Sequence, residues 1–407
     1  MAIEKYDAPD RAGLETDQRE ADLIDRARAL RPLLLKNAAE AERRRRLPDE
    51  NIRTLEEAGL FKLMTPRRWG GHCASFRTLM MTAAELARGC PATGWIQSLA
   101  NNSTWTATLL PDRGQEEVFA GDLGARACSV YAPAANVREV DGGYVISGRW
   151  DYASGCWHAS WAVLGFLIPG ADGKPIDHGA AVIPMRELSI EDTWFAAGMK
   201  GTGSATIVAN EVFVPHHRVL SFPRLLAGER PARQYNGEFT DHLSMMPILA
   251  VNLVAAPLGT AQTVLELVAE GTHRRGVTYT IYGRQSDSAV VHHQIGEAAL
   301  KLDSAWLHIL RAADEIDAGG RAGRHLDYLT RARIRGDAGY AARLVREVID
   351  QLVSIGSSGA FAESNPLQRL WRDANLASRH AALTIGPCLE LYGRAYLGIS
   401  PNITEMI

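Results

Sequence analysis

A chain of 407 residues exceeds the roughly 250–300 residues at which a single hydrophobic core stops growing, so two or three packed units are expected. Hydrophobic residues at 46% and charged residues at 22% are ordinary for a folded globular protein and exclude disordered and fibrous classes. A net charge of -3 with no basic stripe argues against nucleic acid or an anionic membrane as partner, and five scattered cysteines, never in a C-x-x-C pair, indicate neither a disulfide framework nor a zinc site.

The N-terminal segment is acidic and has no apolar run, so no signal peptide is expected, and no stretch approaches the ~18 apolar residues of a membrane helix. A cytoplasmic protein with reduced thiols is the expectation. From about residue 16 to 121 the period is helical. Leu23, Ala27, Leu30 and Leu34 share one face; Pro48-Asp49-Glu50 opens a second helix that Gly59 closes; Pro91 and Pro111 open others. Arg43 to Arg46 end a helix, where cations offset the dipole and stay solvated, an anion site being the alternative.

Between about 124 and 215 the period changes to 2. Residues 137–140, the turn Asp141-Gly142-Gly143 and residues 144–150 form a hairpin, and 161–168, 180–185 and 205–214 read as further strands of a compact antiparallel β domain. From about 238 onward long helices return. Ala299, Leu302, Trp306, Ile309, Ala313 and Ile316 step by 3 and 4, as do Ile334, Ala338, Ala341, Val345, Val348, Leu352 and Ile355. Such seams belong to helices packed lengthwise in a bundle, which often continues into an oligomer interface. The expected units are residues 1–122, 123–232 and 233–407.

Gly198, Gly201 and Gly203 in G-M-K-G-T-G-S resemble a phosphate loop, but a strand follows where a dinucleotide fingerprint needs a helix, so the segment is read as a β-domain turn. His292 and His293 are adjacent and therefore point about 100° apart on a helix; no metal site is expected, and His216 and His217 are read as surface residues. Residues 150–161 hold Trp150, Trp157 and Trp161 with Tyr152 and several small polar residues. Composition leaves a wall for a flat heteroaromatic ligand and a plain sheet core equally open.

G-L-F-K-L-M-T-P-R-R-W-G-G (59–71), A-R-G-C-P-A-T-G-W (87–95), G-T-G-S with V-F-V-P (201–215) and P-L-Q-R-L-W-R-D-A (366–374) together resemble the acyl-CoA dehydrogenase superfamily over nearly the whole chain. The resemblance implies an N-terminal helical domain, a central antiparallel β-barrel or sandwich and a C-terminal four-helix bundle, with flavin between the last two and a homotetramer whose neighbouring subunit completes the site. The strand S-G-R-W-D-Y-A-S-G-C-W-H and the motif R-D-A-N-L-A-S-R-H, ending in His380, are similar to the two-component flavin-dependent monooxygenases typified by 4-hydroxyphenylacetate hydroxylase oxygenases and the steroid-ring hydroxylase of cholesterol degradation, rather than to true dehydrogenases.

This similarity implies reduced flavin (FMNH2 or FADH2) supplied by a separate NAD(P)H:flavin reductase, reaction with O2 through a flavin C4a-hydroperoxide, and hydroxylation of a phenolic, polycyclic or indole-like small molecule. It assigns Ser154 to flavin N5, His380 to catalysis and substrate, and Ser129, Tyr131, Trp150 and Arg274 to the cofactor; Arg275 is the alternative to Arg274. With its unperturbed pKa of roughly 6.5, His380 would donate near neutral pH, the bland alternative being a bundle cap. Asn101, Asn102, Ser103 and Trp105 are the expected substrate contacts, Ser103 standing two residues before a tryptophan where phenol-hydroxylating relatives carry histidine. The rival readings are an acyl-CoA dehydrogenase proper, an N-hydroxylating flavin enzyme, and a flavin-bearing DNA-binding member.

Overall fold

The computed structural model describes residues 18–170, 174–404 and 406–407. The acidic segment read for a signal peptide lies almost wholly outside these.

Among the described residues five α-helices come first: α1 (Gln18–Arg44), α2 (Asp49–Glu57), α3 (Phe76–Gly89), α4 (Pro91–Ala107) and α5 (Asp112–Phe119). Their ends follow local chemistry. Ser75 caps α3 by accepting from the Thr78 amide, and Pro91 starts α4 at a position whose N–H would lack a partner anyway. The predicted α1 stripe is buried at Leu23, Ala27 and Leu34. The arginine run after it is not simply solvated. Arg45 bonds Asp192 at 2.7 Å and the Trp194 carbonyl at 3.1 Å, while Arg46 lies over the Trp157 ring, so both clamp the β domain.

Among the described residues eight strands follow: β1 (Ala127–Val130), β2 (Ala135–Val140), β3 (Gly143–Ala153), β4 (Trp161–Pro169), β5 (Pro175–Pro184), β6 (Ser189–Glu191), β7 (Ala205–Pro215) and β8 (Val219–Ser221). They form two sheets, β1-β4-β5-β8 and β2-β3-β7-β6. The hairpin is as expected, with Val140 opposite Gly143, but β1 runs parallel to β4, so the domain is not wholly antiparallel.

Alternation along β4 explains why it is buried on both faces. Ala162, Leu164 and Phe166 meet Tyr144, Ile146, Trp150, Ile207 and Val214 between the sheets, whereas Trp161 and Val163 join the core shared with the helices.

The short α6 (Phe222–Leu226) and α7 (Met245–Val251) lead to α8 (Ala255–Thr272), α9 (Ala289–Arg321), α10 (Tyr328–Ile355), α11 (Pro366–Ala377) and α12 (Ile385–Tyr396). Both predicted seams are buried except Ala299, which is partly covered. Residues 245–272 are long and apolar enough to cross a membrane by length and composition, contrary to the sequence expectation. Within the most apolar stretch of this run, 89% is buried inside the protein, which is the position of a core helix. Asp317 on α9 accepts from the Phe76 and Arg77 amides at 2.7 and 3.0 Å, joining the bundle to the N-terminus of α3.

Candidate active site

Helical phase sorts the residues of α4. Trp95, Leu99, Asn102 and Thr106 follow one another at steps of four and three, with Ser103 beside them, so one stripe of the helix sets three polar side chains next to an indole. Ser103 donates to the Leu99 carbonyl at 2.8 Å and bonds the Ser129 hydroxyl of β1 at 2.8 Å. Thr106 meets the Tyr131 hydroxyl at 2.9 Å. Burial pushes the Tyr131 phenol above its ordinary pKa, so it stays neutral. The Oδ1 of Asn102 is buried without a partner in the chain.

Asn101 and Trp105 point the other way, four residues apart on the opposite side of the helix. Asn101 accepts from the Leu63 amide at 2.7 Å and donates to the carbonyls of Leu60 and Gln97 at 2.8 and 2.9 Å, which pins a loop to the helix. Trp105 is fully buried and donates to the Thr240 carbonyl at 2.8 Å. The expected substrate contacts therefore divide, with Asn102 and Ser103 beside the β domain and Asn101 and Trp105 in the helical core.

The indoles of residues 150–161 divide as well. Trp150 is 1% exposed between the sheets and its Nε1 donates to the Gly165 carbonyl, so its ring has neither face nor edge left for a cofactor. Trp161 joins the helical core. The indole that stands beside Ser154 is instead Trp95, which closes the quoted motif 87–95 and was not among the expected site residues. Its Nε1 donates to Ser154 Oγ at 3.2 Å, and its ring lies 6.3 Å from the His380 ring. Ser154 also meets Ser204 Oγ at 2.7 Å, and Ser204 meets Thr202 Oγ1 at 2.7 Å.

Three elements thus bring Trp95, Ser154 and His380 together. The turn holding Ser154 is fixed on either side by Tyr152 and Gly155, both in the left-handed region at φ 66° and 76°. The glycine loop is tucked in: a Cβ on Gly198 would lie 2.2 Å from the Arg372 carbonyl oxygen, and the Met199 amide donates to Asp373 of α11 at 2.5 Å. The phosphate-like glycines serve this close approach, in keeping with their reading as a turn. His380 begins a single helical turn, its Nδ1 accepting from the Ala382 amide at 3.1 Å. A ring that accepts at Nδ1 while neutral carries its proton on Nε2. The ring reaches solvent but is walled in by protein on most sides, and this burial, with the Arg335 charge, pushes its pKa down to about 4. A donor near neutral pH is thus available as neutral Nε2–H, not as imidazolium.

Arg274 stands elsewhere. It pairs with Glu270 at 3.0 Å and lines, with Arg275, Gly271, Gln285, Gly356 and Asn365, a cleft of about 170 Å³ that none of Trp95, Ser154 or His380 borders. His216 and His217 lie at the surface side of β7, His217 bonding Glu117 at 2.7 Å. No cluster of three or more metal-ligating side chains occurs among the described residues.

A flavin ring needs a flat apolar neighbour and hydrogen-bonding groups along its polar edge, and its phosphates need cations. Trp95 beside Ser154 and the two guanidiniums of the second cleft would suit these needs, in two separate places.

Comparison with known proteins agrees with this chemistry. Residues 19–118 match the family described as Acyl-CoA dehydrogenase, N-terminal domain, and residues 251–385 the one described as Acyl-CoA dehydrogenase, C-terminal domain. The chain is 34% identical over 377 residues to the flavin-dependent monooxygenase, oxygenase subunit HsaA, of Rhodococcus jostii, covering 92% of this chain and 98% of that one. It is 31% identical to the FADH(2)-dependent resorcinol hydroxylase, oxygenase component, of a Rhizobium species, covering 93% and 95%. The solved structure of XiaF from a Streptomyces species, in complex with FADH2 and glycerol, superposes with a TM-score of 0.89 at 36% identity, covering 95% of this chain and 98% of that one.

Proposed function

Because this chain belongs to the oxygenase components of flavin-dependent monooxygenases, on the acyl-CoA dehydrogenase fold, we propose that it receives reduced flavin from a separate NAD(P)H:flavin reductase and uses O2 to hydroxylate an aromatic small molecule. The observation that carries this reading is the convergence of Trp95, Ser154 and His380 beside the polar stripe of α4. When bound, reduced flavin supplies the electrons and the oxygen-activating chemistry. Ser154 holds the polar edge of its ring, Trp95 lines the site, and Ser129 and Tyr131 offer hydroxyls along β1. His380 presents a neutral Nε2–H, which orients a polar oxygen without releasing a loose proton into the pocket.

The Ser103 and Ser129 hydroxyls, with Asn102, form the surface against which a phenolic or indole-like substrate is placed. Neither serine is a base near neutral pH, so the substrate is one whose ring is nucleophilic without full deprotonation. The second cleft, with Arg274 and Arg275, grips flavin phosphate. Since that cleft and the ring site share no residue, the arrangement is served by a homotetramer in which one subunit's arginines complete its neighbour's site. FADH2 rather than FMNH2 fits the names of two relatives. Five unpaired, buried thiols suit a cytoplasmic setting.

The test is anaerobic titration of the purified chain with FADH2 and FMNH2, followed by exposure to 18O2 with a panel of phenols and indoles. Label from O2 in a ring hydroxyl is expected. Failure to bind either dihydroflavin removes the proposal.

A further inference from the structure

Resting on that reading, the hydroxyl row behind Ser154 carries one step more. Met199 O is a carbonyl and only accepts, and Thr202 Oγ1 lies 2.8 Å from it. The proton between these oxygens is therefore Thr202's own. Having given it away, Thr202 can only accept from Ser204, 2.7 Å distant, so the Ser204 proton points at Thr202. Ser204 in turn can only accept from Ser154, also at 2.7 Å, so the Ser154 proton is committed to Ser204. On its other side Ser154 accepts from Trp95 Nε1, a group that only donates. One lone pair remains on the Ser154 oxygen, and no proton.

We infer that Thr202, Ser204 and Trp95 are positioning residues that fix the Ser154 hydroxyl as a hydrogen-bond acceptor, and that this selects reduced over oxidised flavin. Reduced flavin carries a hydrogen on N5 and can donate it to Ser154. Oxidised flavin has only a lone pair on N5, which would face another lone pair. The discrimination sits in the direction of three hydrogen bonds, and Ser204 and Thr202 reach the ring only through Ser154. Ser204 and Thr202 are 5% and 2% exposed, so water does not readily reverse the row.

The test measures dissociation constants for FAD and, anaerobically, for FADH2 by calorimetry, in wild type and in Ser204→Ala, Thr202→Val and Thr202→Ser. Removing the Ser204 hydroxyl, or the Thr202 anchor that orients it, frees the Ser154 proton to point at N5. The reduced-over-oxidised preference is then expected to fall by about tenfold, mainly through tighter binding of FAD, the scale of one net hydrogen bond. The midpoint potential of bound flavin should fall by about 30 mV, the same tenfold expressed for a two-electron couple. Thr202→Ser keeps the hydroxyl and should keep the wild-type ratio.

A ratio unchanged in both hydroxyl-deleting variants, or an equal weakening of both forms, overturns the inference, the second outcome being that of a purely structural role. If wild type binds neither form, the functional reading itself fails. If it binds both equally, only the acceptor assignment does.

Discussion

His380 is where the electrostatics of the site are most open to measurement. Its folded pKa of about 4 lies three units below pH 7, so about one ring in a thousand is charged there, against about a quarter for an unperturbed imidazole. Burial is the larger cause and the Arg335 charge the smaller, so Arg335→Met should raise the pKa while leaving it below the unperturbed value. With histidine-selective 15N labelling, the His380 signals should report a neutral ring protonated at Nε2 at pH 7, as the Nδ1 bond to the Ala382 amide requires, and titrate near 4. Hydroxylation should then show no limb from this group between pH 5.5 and 8. His380→Ala, which removes the donor, is expected to lower turnover about 100-fold, the scale of one oriented donor lost from a site. His380→Asn, which keeps a neutral N–H, should retain much more. A ring titrating near 6.5, or an acid limb in kcat/KM that His380→Asn abolishes, would refute the reasoning.

Arg274→Ala should weaken FAD binding about tenfold or more yet leave riboflavin affinity unchanged, because only the phosphate-bearing molecule meets the guanidinium; calorimetry with both ligands separates the two. Asn101→Ala leaves the Leu63 amide without its acceptor, while the Leu60 carbonyl keeps Gln97 Nε2, so a loss of about 1–3 kcal/mol in urea unfolding is expected with KM for the aromatic substrate unmoved; a raised KM at unchanged stability would return Asn101 to the substrate. His158 is pushed down to about 4 by burial and its Nε2 has no partner. Its unfolded form takes a proton near 6.5 and its folded form does not until about 4, so stability held above pH 6.5 is lost as pH falls toward 4. The wild-type advantage in urea midpoint over His158→Gln should therefore narrow from pH 7 to 4, and a constant difference would count against the shift.

The order of helices, strands and helices was readable because each unit keeps one hydrophobic period over many residues, as the α10 seam from Ile334 to Ile355 illustrates. The parallel pairing of β1 with β4 was not, since alternation along a strand says which face is buried and nothing about the neighbour's direction. Ser154 and Ser129 were singled out by motif likeness, having no periodic signal of their own. Asn101 and Trp105 were misgrouped with Ser103 because sequence proximity was used where helical phase was needed; steps of 3 and 4 from Trp95 would have chosen Asn102 and Thr106. Trp150 was misplaced for the corresponding reason in a strand, where alternate residues face opposite sides and this one faces the second sheet. The lowered pKa of His380 had no sequence signal at all, because the burial that mainly causes it and the Arg335 charge that adds to it arise only once the bundle packs.

The bond from the Met199 amide to Asp373 has a consequence for how the two halves of the site are held. Ser204 stands five residues beyond Met199 on one stretch of chain, and His380 seven residues beyond Asp373 on another, so a single bond ties together the stretches that carry them. A substitution at Asp373 would thus act on both stretches at once.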